Sequence, residues 1–306
     1  MITVIIATYN GEATLARTLD AMARLTPPAD GHEIIVVDNA STDGTAAIVA
    51  DFAARLPLTA LHEPRRGKAH ALNTGIAAAR GDLLVFTDDD VLPDPDWLPA
   101  YRAAADSHPD QRVFVGQVRH DWAAPPPHWL ERLGAAGMSY GGTPMDRAEG
   151  PVSWLSAKGA NMAVPRHHMG ATRFRTDDKT NFVGPKSGGE DCWFARDVSA
   201  GKVWYVPQAR LKHMVRQHEI GVLPVFRRYV RIGMASYNYH VTAEETPIDT
   251  RCVMGVPVGL LGRMLRAAAG GFYRLARGDS EAAARRMLSF ALDLGHLRGW
   301  YDTRGA

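Results

Sequence analysis

The sequence predicts a doubly wound α/β fold with a mainly parallel sheet, followed by a helical C-terminal extension. Before residue 91, apolar runs alternate four times with segments of helical hydrophobic spacing, which is typical of a parallel sheet with helices on both faces. The last of these runs ends in Asp88, Asp89 and Asp90, and ligands of open α/β sheets bind at the carboxyl ends of strands. After residue 215 the pattern becomes that of arginine-rich amphipathic helices.

The elements of the first part follow from two periodicities. Each predicted strand is a short run of β-branched or bulky apolar residues, and each predicted helix repeats apolar residues three or four positions apart, as Leu15, Leu19 and Met22 do. Ser41 or Thr42 is expected to cap the second helix. In chain order the predictions are a strand at 2–7, a helix at 12–25, a strand at 33–37, a helix at 41–56, a strand at 58–61, a helix at 69–80, a strand at 83–87, a helix at 95–107 and a strand at 113–118.

The middle of the chain is less regular. Residues 121–151 contain three consecutive prolines and several glycines, and we expect a lid or an acceptor-binding wall there, because long irregular segments inside compact domains are usually functional. Residues 152–164 are strand-like, and residues 166–186 are predicted to be a polar loop. A helix is expected to begin at Glu190, and a strand at 203–207 is expected to precede His213.

Composition indicates a globular protein without a nucleic-acid partner. The chain has 306 residues, 46% of them hydrophobic and 22% charged, and its net charge is +2, so no overall basic field points to nucleic acid. Only two cysteines occur, which favours a reducing, cytoplasmic environment. The N-terminus lacks the features of a secretory signal, and no apolar run reaches the roughly 18 residues of a membrane span.

The three adjacent carboxylates predict a metal site. Asp88, Asp89 and Asp90 repel one another unless a cation lies among them, and oxygen ligands suit Mg²⁺ or Mn²⁺. A metal-bound diphosphate is the expected ligand. Capping of a following helix would explain one or two of these acids, but not three. Neither a G-x-G-x-x-G turn nor a P-loop occurs in the sequence, which argues against a dinucleotide oxidoreductase and a P-loop NTPase.

A second acidic motif follows two glycines. Glu190 and Asp191 begin an apolar run and are expected in the first turn of a helix. Negative side chains there stabilise the helix dipole by about 1 kcal/mol or less, so the pattern alone leaves a structural and a catalytic role equally open.

Taken together, these motifs resemble those of family 2 glycosyltransferases, over residues 1 to 215. They are, in chain order, Val-Ile-Ile-Ala-Thr-Tyr-Asn at 4–10, Ile-Val-Val-Asp-Asn-Ala-Ser-Thr-Asp-Gly-Thr at 35–45, Gly67-Lys68 with Ala71-Leu72-Asn73, Thr-Asp-Asp-Asp at 87–90, Gly-Ala-Asn at 159–161 and Gly-Glu-Asp at 189–191. The resemblance implies a GT-A fold, a nucleotide-sugar donor, a divalent metal (Mn²⁺ or Mg²⁺) and inversion at the anomeric carbon.

The resemblance also implies roles for individual residues. Thr8 and Asp38 would contact the nucleobase, Lys68 the base or the phosphates, and Asp88 the ribose. The full expected set of donor contacts is Thr8, Tyr9, Asn10, Asp38, Lys68, Asp88 and Asp89.

For the metal, the resemblance implies Asp90, with Asp88 and His213 as further ligands. The chain departs from the usual pattern by having Asp at the middle position, so Asp89 could share the metal or take it over. His213 is equally compatible with a structural role.

For the acceptor, the resemblance implies Asp191 as general base, with Glu190 orienting the acceptor or the base. Trp154, Asn161 and Trp193 are candidate acceptor contacts, although Trp193 could equally belong to the core. The acceptor would be a saccharide, a lipid-linked molecule or a small molecule.

Three regions are expected: a nucleotide-sugar binding half at 1–120, an acceptor-binding and catalytic half of the same domain at 121–215, and the extension at 216–306. Helical patterns at 221–233, 264–277 and 281–297 would lie on anionic lipid at the inner face of the plasma membrane, pack on the catalytic domain, or contact another subunit of a homo-oligomer. The alternative functions are a non-catalytic nucleotide-sugar binding protein and a sugar nucleotidyltransferase.

Overall fold

The computed structural model describes residues 1–177, 189–242, 251–253 and 256–304. The strands are β1 (Ile2–Thr8), β2 (His32–Asp38), β3 (Leu58–His62), β4 (Leu83–Thr87), β5 (Val91–Pro93), β6 (Phe114–Trp122), β7 (Gly150–Ser153), β8 (Met162–Pro165), β9 (Lys202–Val215), β10 (Cys252–Val253) and β11 (Val256–Pro257). The helices are α1 (Leu15–Met22), α2 (Thr45–Ala53), α3 (Lys68–Ala78), α4 (Trp97–Ser107), α5 (His128–Ala135), α6 (Arg166–Met169), α7 (Glu190–Ser199), α8 (Val222–Thr242), α9 (Val258–Ala276) and α10 (Ser280–Arg304).

A large central sheet organises the fold. Within the described residues its order is β3-β2-β1-β4-β8-β6-β9-β5, with β7 added on β9. The first four strands are mutually parallel, β8 runs antiparallel to both β4 and β6, and β6 and β9 are again parallel. The predicted α/β fold with a mostly parallel sheet and C-terminal helices is therefore confirmed.

The register of the parallel strands aligns their carboxyl ends. Thr8 of β1 lies opposite Asp38 of β2, and Ile6 lies opposite Thr87, the last residue of β4. Alternate side chains of these strands enter separate cores on the two faces of the sheet, as Ile5 and Ile6 illustrate. Burial on both faces explains the uninterrupted apolar runs in the sequence. Polar residues therefore collect where these strands end, along the carboxyl edge of the sheet.

The segment at 152–164 differs from the prediction. It forms two strands with different neighbours, since β7 pairs with β9 and β8 lies between β4 and β6. A 3₁₀ turn at Trp154–Ser156 separates them, and the Ser153 hydroxyl caps it by accepting a hydrogen bond from the Leu155 amide at 3.3 Å. Strand β9 is also longer than the predicted 203–207, so His213 lies inside this strand and not after it.

The segment at 121–151 is also more regular than predicted. It contains α5 and the start of β7, besides the end of β6. Part of the polar segment predicted at 166–186 forms α6, and residues 178–186 lie outside the described part of the chain.

The C-terminal helices pack on this domain. A third apolar cluster joins Leu130 and Tyr140 of the domain to Val225 of α8 and Leu288 of α10. Helices α8 and α10 approach closely at Gly295, where an added Cβ would lie 2.1 Å from the Val230 carbonyl oxygen. Among the described residues, no helix combines the length and apolar character that crossing a bilayer requires.

Candidate active site

A cavity of about 780 Å³ opens at the carboxyl ends of β1 and β4. Its walls come from these strand ends, the start of α3, the start of α7, β9 and α8. The predicted site residues that line it are Thr8, Tyr9, Lys68, Asp88, Asp89, Asp90, Glu190, Asp191 and His213. The cavity thus brings the two acidic motifs together, although a hundred residues separate them in the sequence.

The three consecutive aspartates have different partners. Asp88 accepts a hydrogen bond from Lys68 Nζ at 2.5 Å, and Asp89 accepts one from the Thr8 hydroxyl at 2.5 Å. Asp90 Oδ2 lies 3.4 Å from His213 Nε2, while its Oδ1 atom is buried and has no hydrogen-bond partner in the described part of the chain. Among the described residues, Asp90 is therefore the member of the triplet with a buried carboxylate oxygen that has no partner.

The pKa values of the triplet follow from burial and mutual repulsion. Burial, with the repulsion of neighbouring carboxylates, raises the pKa of Asp89 to about 6 and that of Asp90 to about 7. Burial also acts to raise the pKa of Asp88, but the charge of Lys68 outweighs it, and the net pKa is lowered. The charged forms of the adjacent Asp89 and Asp90 are thus disfavoured, and a bound cation would stabilise them.

His213 has the properties of a metal ligand. Pairing of β5 with β9 sets it opposite Val91, beside Asp90. Burial lowers its pKa to about 4, so the imidazole is neutral at pH 7, and its buried Nδ1 atom has no partner among the described residues. A divalent cation suits a neutral imidazole and a carboxylate with a free oxygen. Within the described residues, however, no group of three or more His, Cys, Asp or Glu side chains could hold a metal ion.

Lys68 joins the two acidic motifs. Its Nζ atom is 2.5 Å from Asp88 Oδ1 and 3.5 Å from Glu190 Oε1. Burial lowers the pKa of Lys68, but the charges of these acids raise it further, and its net pKa is above the ordinary value. The lysine is therefore a permanent cation in the wall of the cavity.

A buried amide positions this lysine. Asn39, in the loop after β2, donates to the carbonyl oxygens of Glu63 and Arg65 at 2.9 and 2.7 Å and accepts from the Gly67 amide at 2.7 Å. Gly67 has φ 128°, in a region that L side chains rarely adopt, and directly precedes α3. Lys68 is consequently held at the first position of that helix.

The second acidic motif forms the first turn of α7, as predicted. Gly189 precedes it with φ 88°. Glu190 is buried, which raises its pKa to about 7 despite the opposing charge of Lys68. Asp191 is half-buried and lines the cavity, where its carboxylate accepts hydrogen bonds from the amides of Gly159 and Cys192, both at 2.8 Å.

Asn10 and Asp38 lie near the cavity without lining it. The exposed Asn10 links two loops. Its backbone amide donates to the Ser41 hydroxyl at 2.9 Å, and its side-chain oxygen accepts from the Thr42 backbone amide at 2.8 Å. Asp38 accepts from the Ser41 amide at 3.0 Å. Both residues therefore shape the loop after β2.

Three predicted acceptor contacts do not line the cavity. Asn161 is fully buried and forms hydrogen bonds with Trp97, Tyr101, Gln117 and Ala209. The side chains of Trp154 and Trp193 are also buried, in a core below the cavity, where their rings lie 6.2 Å apart. None of these three residues lines the cavity, because the segments that carry them turn their side chains into the core.

Several cavity residues were not predicted. They include Asn39, Tyr140 and, from α8, Arg228, Arg231 and Ser236. The Arg228 guanidinium lies 5.0 Å from the Tyr140 ring centroid. The basic amphipathic pattern of residues 221–233 was visible in the sequence, but its direction toward the cavity depends on how α8 packs against the domain.

Comparison with known proteins agrees with this architecture. Mannosyltransferase PcManGT from Pyrobaculum calidifontis, solved in complex with GDP-Man and Mn²⁺, superposes with a TM-score of 0.63 at 23% identity, covering 98% of this chain and 87% of that chain. TarS 1–349 of S. aureus in complex with UDP-GlcNAc gives a TM-score of 0.52 at 15% identity, covering 97% and 91%. The fold is of the GT-A type.

Sequence comparison identifies the family of this chain. Validoxylamine A glucosyltransferase of Streptomyces hygroscopicus subsp. limoneus is 34% identical over 118 residues, which are 38% of this chain and 26% of that protein. The aligned segment thus spans about a quarter of this relative. Residues 3–164 match the sequence profile of the family described as Glycosyl transferase family 2. With that match over half of the chain, and with the fold that goes with it, the protein belongs to Glycosyl transferase family 2.

Proposed function

We propose that this protein transfers a sugar from a nucleotide-diphosphate donor to an acceptor hydroxyl, with inversion at the anomeric carbon and with the help of a divalent metal. Family membership supports glycosyl transfer, and related folds have been solved with GDP-Man and Mn²⁺ and with UDP-GlcNAc. The observation that carries the proposal is the single cavity in which Lys68 lies 2.5 Å from Asp88 and 3.5 Å from Glu190. Groups suited to the leaving diphosphate and to the acceptor thus face one another.

The donor side of the cavity offers contacts for a nucleotide. Thr8 and Tyr9 line the cavity at the end of β1. With Asn10 and Asp38 next to them they would hold the nucleobase, and Asp88 would hold the ribose. The Arg66 guanidinium lies 5.0 Å from the Tyr9 ring centroid, which gives a flat cationic surface beside the proposed base site. Further along the cavity, Lys68, Arg228 and Arg231 supply positive charge for the phosphates.

The metal would be held by Asp90 and His213, while Asp88 is paired with Lys68. Its remaining ligands would be donor phosphates and water, as is usual for Mg²⁺. When bound, it neutralises the charge that develops on the departing diphosphate. Asp89 accepts a hydrogen bond from the Thr8 hydroxyl, so we assign it a structural role in the site and not that of a metal ligand.

Asp191 is the proposed general base. Its carboxylate is oriented by the amides of Gly159 and Cys192 and faces the cavity. As the acceptor oxygen attacks the anomeric carbon from the side opposite the diphosphate, Asp191 takes the hydroxyl proton. Next to Asp191, the ammonium group of Lys68 lies 3.5 Å from the carboxylate of Glu190 and would balance the negative charges of the two acids. The acceptor is a saccharide, a lipid-linked molecule or a small molecule with a free hydroxyl.

Asp191→Asn tests this assignment. A general base contributes a factor of about 100 to 10,000, so transfer and donor hydrolysis should fall by that amount in assays with UDP- and GDP-sugars and Mn²⁺. Donor binding, followed as a rise in melting temperature, should remain. Asp197→Asn, on the same helix but at a carboxylate that pairs with Arg175 and does not line the cavity, is the control and should keep wild-type turnover.

Two outcomes would contradict the proposal. Full activity of Asp191→Asn would exclude this carboxylate as the base. Donor binding by the wild type without transfer to any acceptor class or to water would instead support the alternative of a non-catalytic nucleotide-sugar binding protein.

A further inference from the structure

Helix α9 exposes an unusual amount of apolar surface. Most exposed large apolar side chains of the described residues lie in the C-terminal extension, and the largest group is on this helix. Leu265 is 63% exposed, Phe272 76% and Leu275 62%. Exposed apolar side chains that stand alone are normal in proteins, whereas a contiguous set marks an interaction surface.

Five of the exposed apolar residues and the half-buried Ala268 form one stripe. Positions 258, 261, 265, 268, 272 and 275 repeat at intervals of three and four residues and carry Val, Leu, Leu, Ala, Phe and Leu. Residues at this spacing lie on one side of an α-helix. The buried residues Leu260 and Ala267 lie on another side, against the rest of the protein. We call the six positions the α9 stripe.

The same helix is strongly basic. It carries Arg263, Arg266 and Arg274, with Arg277 directly after it, and residues 258–276 include no Asp or Glu. Arg263 pairs with Asp293 at 3.0 Å and Arg274 with Asp279 at 3.5 Å. Within the described part of the chain, the exposed Arg266 and Arg277 have no carboxylate within ion-pair distance. Helix α9 therefore joins an uncovered apolar stripe to uncompensated positive charge.

We propose that α9 is a docking surface for an anionic lipid bilayer, on which the helix lies parallel to the membrane plane. The stripe would enter the boundary between headgroups and acyl chains, and the long side chain of Arg266 would reach the lipid phosphates. Arg277, on the far side of the helix, would add to the attraction of the anionic surface. Tyr273, which is 57% exposed, has the amphipathic ring that favours this depth. The surface does not depend on the proposed glycosyl transfer.

Charge favours lipid over a second copy of the chain. Stripes of this spacing can pair as coiled coils, but such pairing uses opposite charges at the positions that flank the stripe. Here those positions are Gly262, Met264, Ala269, Gly271 and Ala276, which are all uncharged. Anionic headgroups, by contrast, attract the arginines that the helix carries.

Vesicle flotation of the full chain tests the proposal without any donor. The wild type should float with phosphatidylcholine vesicles that contain phosphatidylglycerol, should float poorly with phosphatidylcholine alone, and should be released by salt. Leu265→Glu/Phe272→Glu should lower the bound fraction at least tenfold. Both positions are exposed, so the melting temperature should not change. Leu275→Glu alone provides a milder variant for the same comparison.

Matched controls lie outside α9. Met145→Glu also adds a charge at an exposed apolar side chain, and it should bind vesicles like the wild type. Arg266→Glu/Arg277→Glu should weaken binding to the anionic vesicles, whereas Arg112→Glu, at another exposed arginine, should not.

The proposal is overturned if the wild type does not float with anionic vesicles, or if the stripe variants float as well as the wild type. It is also overturned if light scattering shows a dimer that Leu265→Glu/Phe272→Glu converts to a monomer, because the stripe would then be a subunit interface.

Discussion

Glu190 affects both the stability of the folded protein and the charge of the proposed active site. It is 5% exposed, and burial raises the pKa of its carboxyl to about 7, although Lys68 lies 3.5 Å away. A glutamate with such a pKa binds a proton in the folded protein over a pH range in which the unfolded chain has lost it. Between about pH 4.5 and pH 7 the folded protein therefore loses stability as the pH rises.

Glu190→Gln should remove this dependence. Glutamine keeps the size and the hydrogen-bonding oxygen but carries no charge to desolvate. Relative to the wild type, the free energy of unfolding of the variant should increase between pH 5 and pH 8, on the order of 2 kcal/mol, since one pKa unit corresponds to about 1.4 kcal/mol. Urea unfolding at the two pH values measures this difference.

The control for this experiment is Glu131→Gln, at an exposed position of α5. Its difference from the wild type should be the same at both pH values, because water already surrounds that carboxylate. A Glu190→Gln difference that does not change with pH would contradict the explanation by burial. Reduced transfer by Glu190→Gln would fit the usual conflict between stability and activity at functional sites.

At the scale of elements, the sequence predicted the strands that end in acids better than the strands that surround Asn161. β1, β2 and β4 are local apolar runs with polar ends, and their partners follow from right-handed crossovers. β7 and β8 could not be separated in this way, because their different places in the sheet depend on long-range contacts. Asn161 was predicted to contact the acceptor, whereas its side chain joins α4, β6 and β9 by hydrogen bonds that no local pattern reveals.

Asn161→Ala should destabilise the protein strongly. The side chain accepts hydrogen bonds from Trp97 Nε1 at 2.8 Å and the Tyr101 hydroxyl at 2.7 Å, and it donates to the carbonyls of Gln117 and Ala209 at 3.0 and 2.9 Å. Each buried group left without a partner costs about 1 to 3 kcal/mol. We expect a loss of about 3 kcal/mol or more in the free energy of unfolding, measured by urea titration.

Asn73→Ala is the matched comparison, since within the described part of the chain this half-buried amide forms hydrogen bonds with Phe174 alone. It should cost clearly less, about 1 kcal/mol. Equal losses for the two variants would show that Asn161 has no special role in joining the elements.

For the whole molecule, the sequence predicted the family, the acidic motifs and their convergence, but not the closure of the cavity by the C-terminal extension. The resemblance ends near residue 215. The basic pattern of α8 is equally compatible with contact to lipid, to the catalytic domain or to another subunit. Only packing at the third apolar cluster turns Arg228 toward Asp88 and Asp90. The proposed donor site therefore needs the extension as well as the domain that carries the motifs.

Arg228→Gln should weaken the binding of UDP or GDP about tenfold, because a guanidinium that serves the phosphates would be lost. Burial lowers the pKa of Arg228, which indicates a cation short of compensating contacts before the donor binds. Calorimetric titration measures the affinity. Arg227→Gln, at an exposed neighbour on the same helix, is the control, and equal effects of both variants would argue against a specific phosphate contact.

The hydrogen bonds of Asn39 have a consequence for protein engineering. Surface loops ordinarily accept inserted residues, because each doubling of loop length costs only about 0.6 kcal/mol. The loop before α3 is different, since one amide side chain fixes it at Glu63, Arg65 and Gly67. An extra residue there would shift the phase of α3 and turn Lys68 out of the cavity. Grafts and tags are therefore better placed elsewhere on the surface.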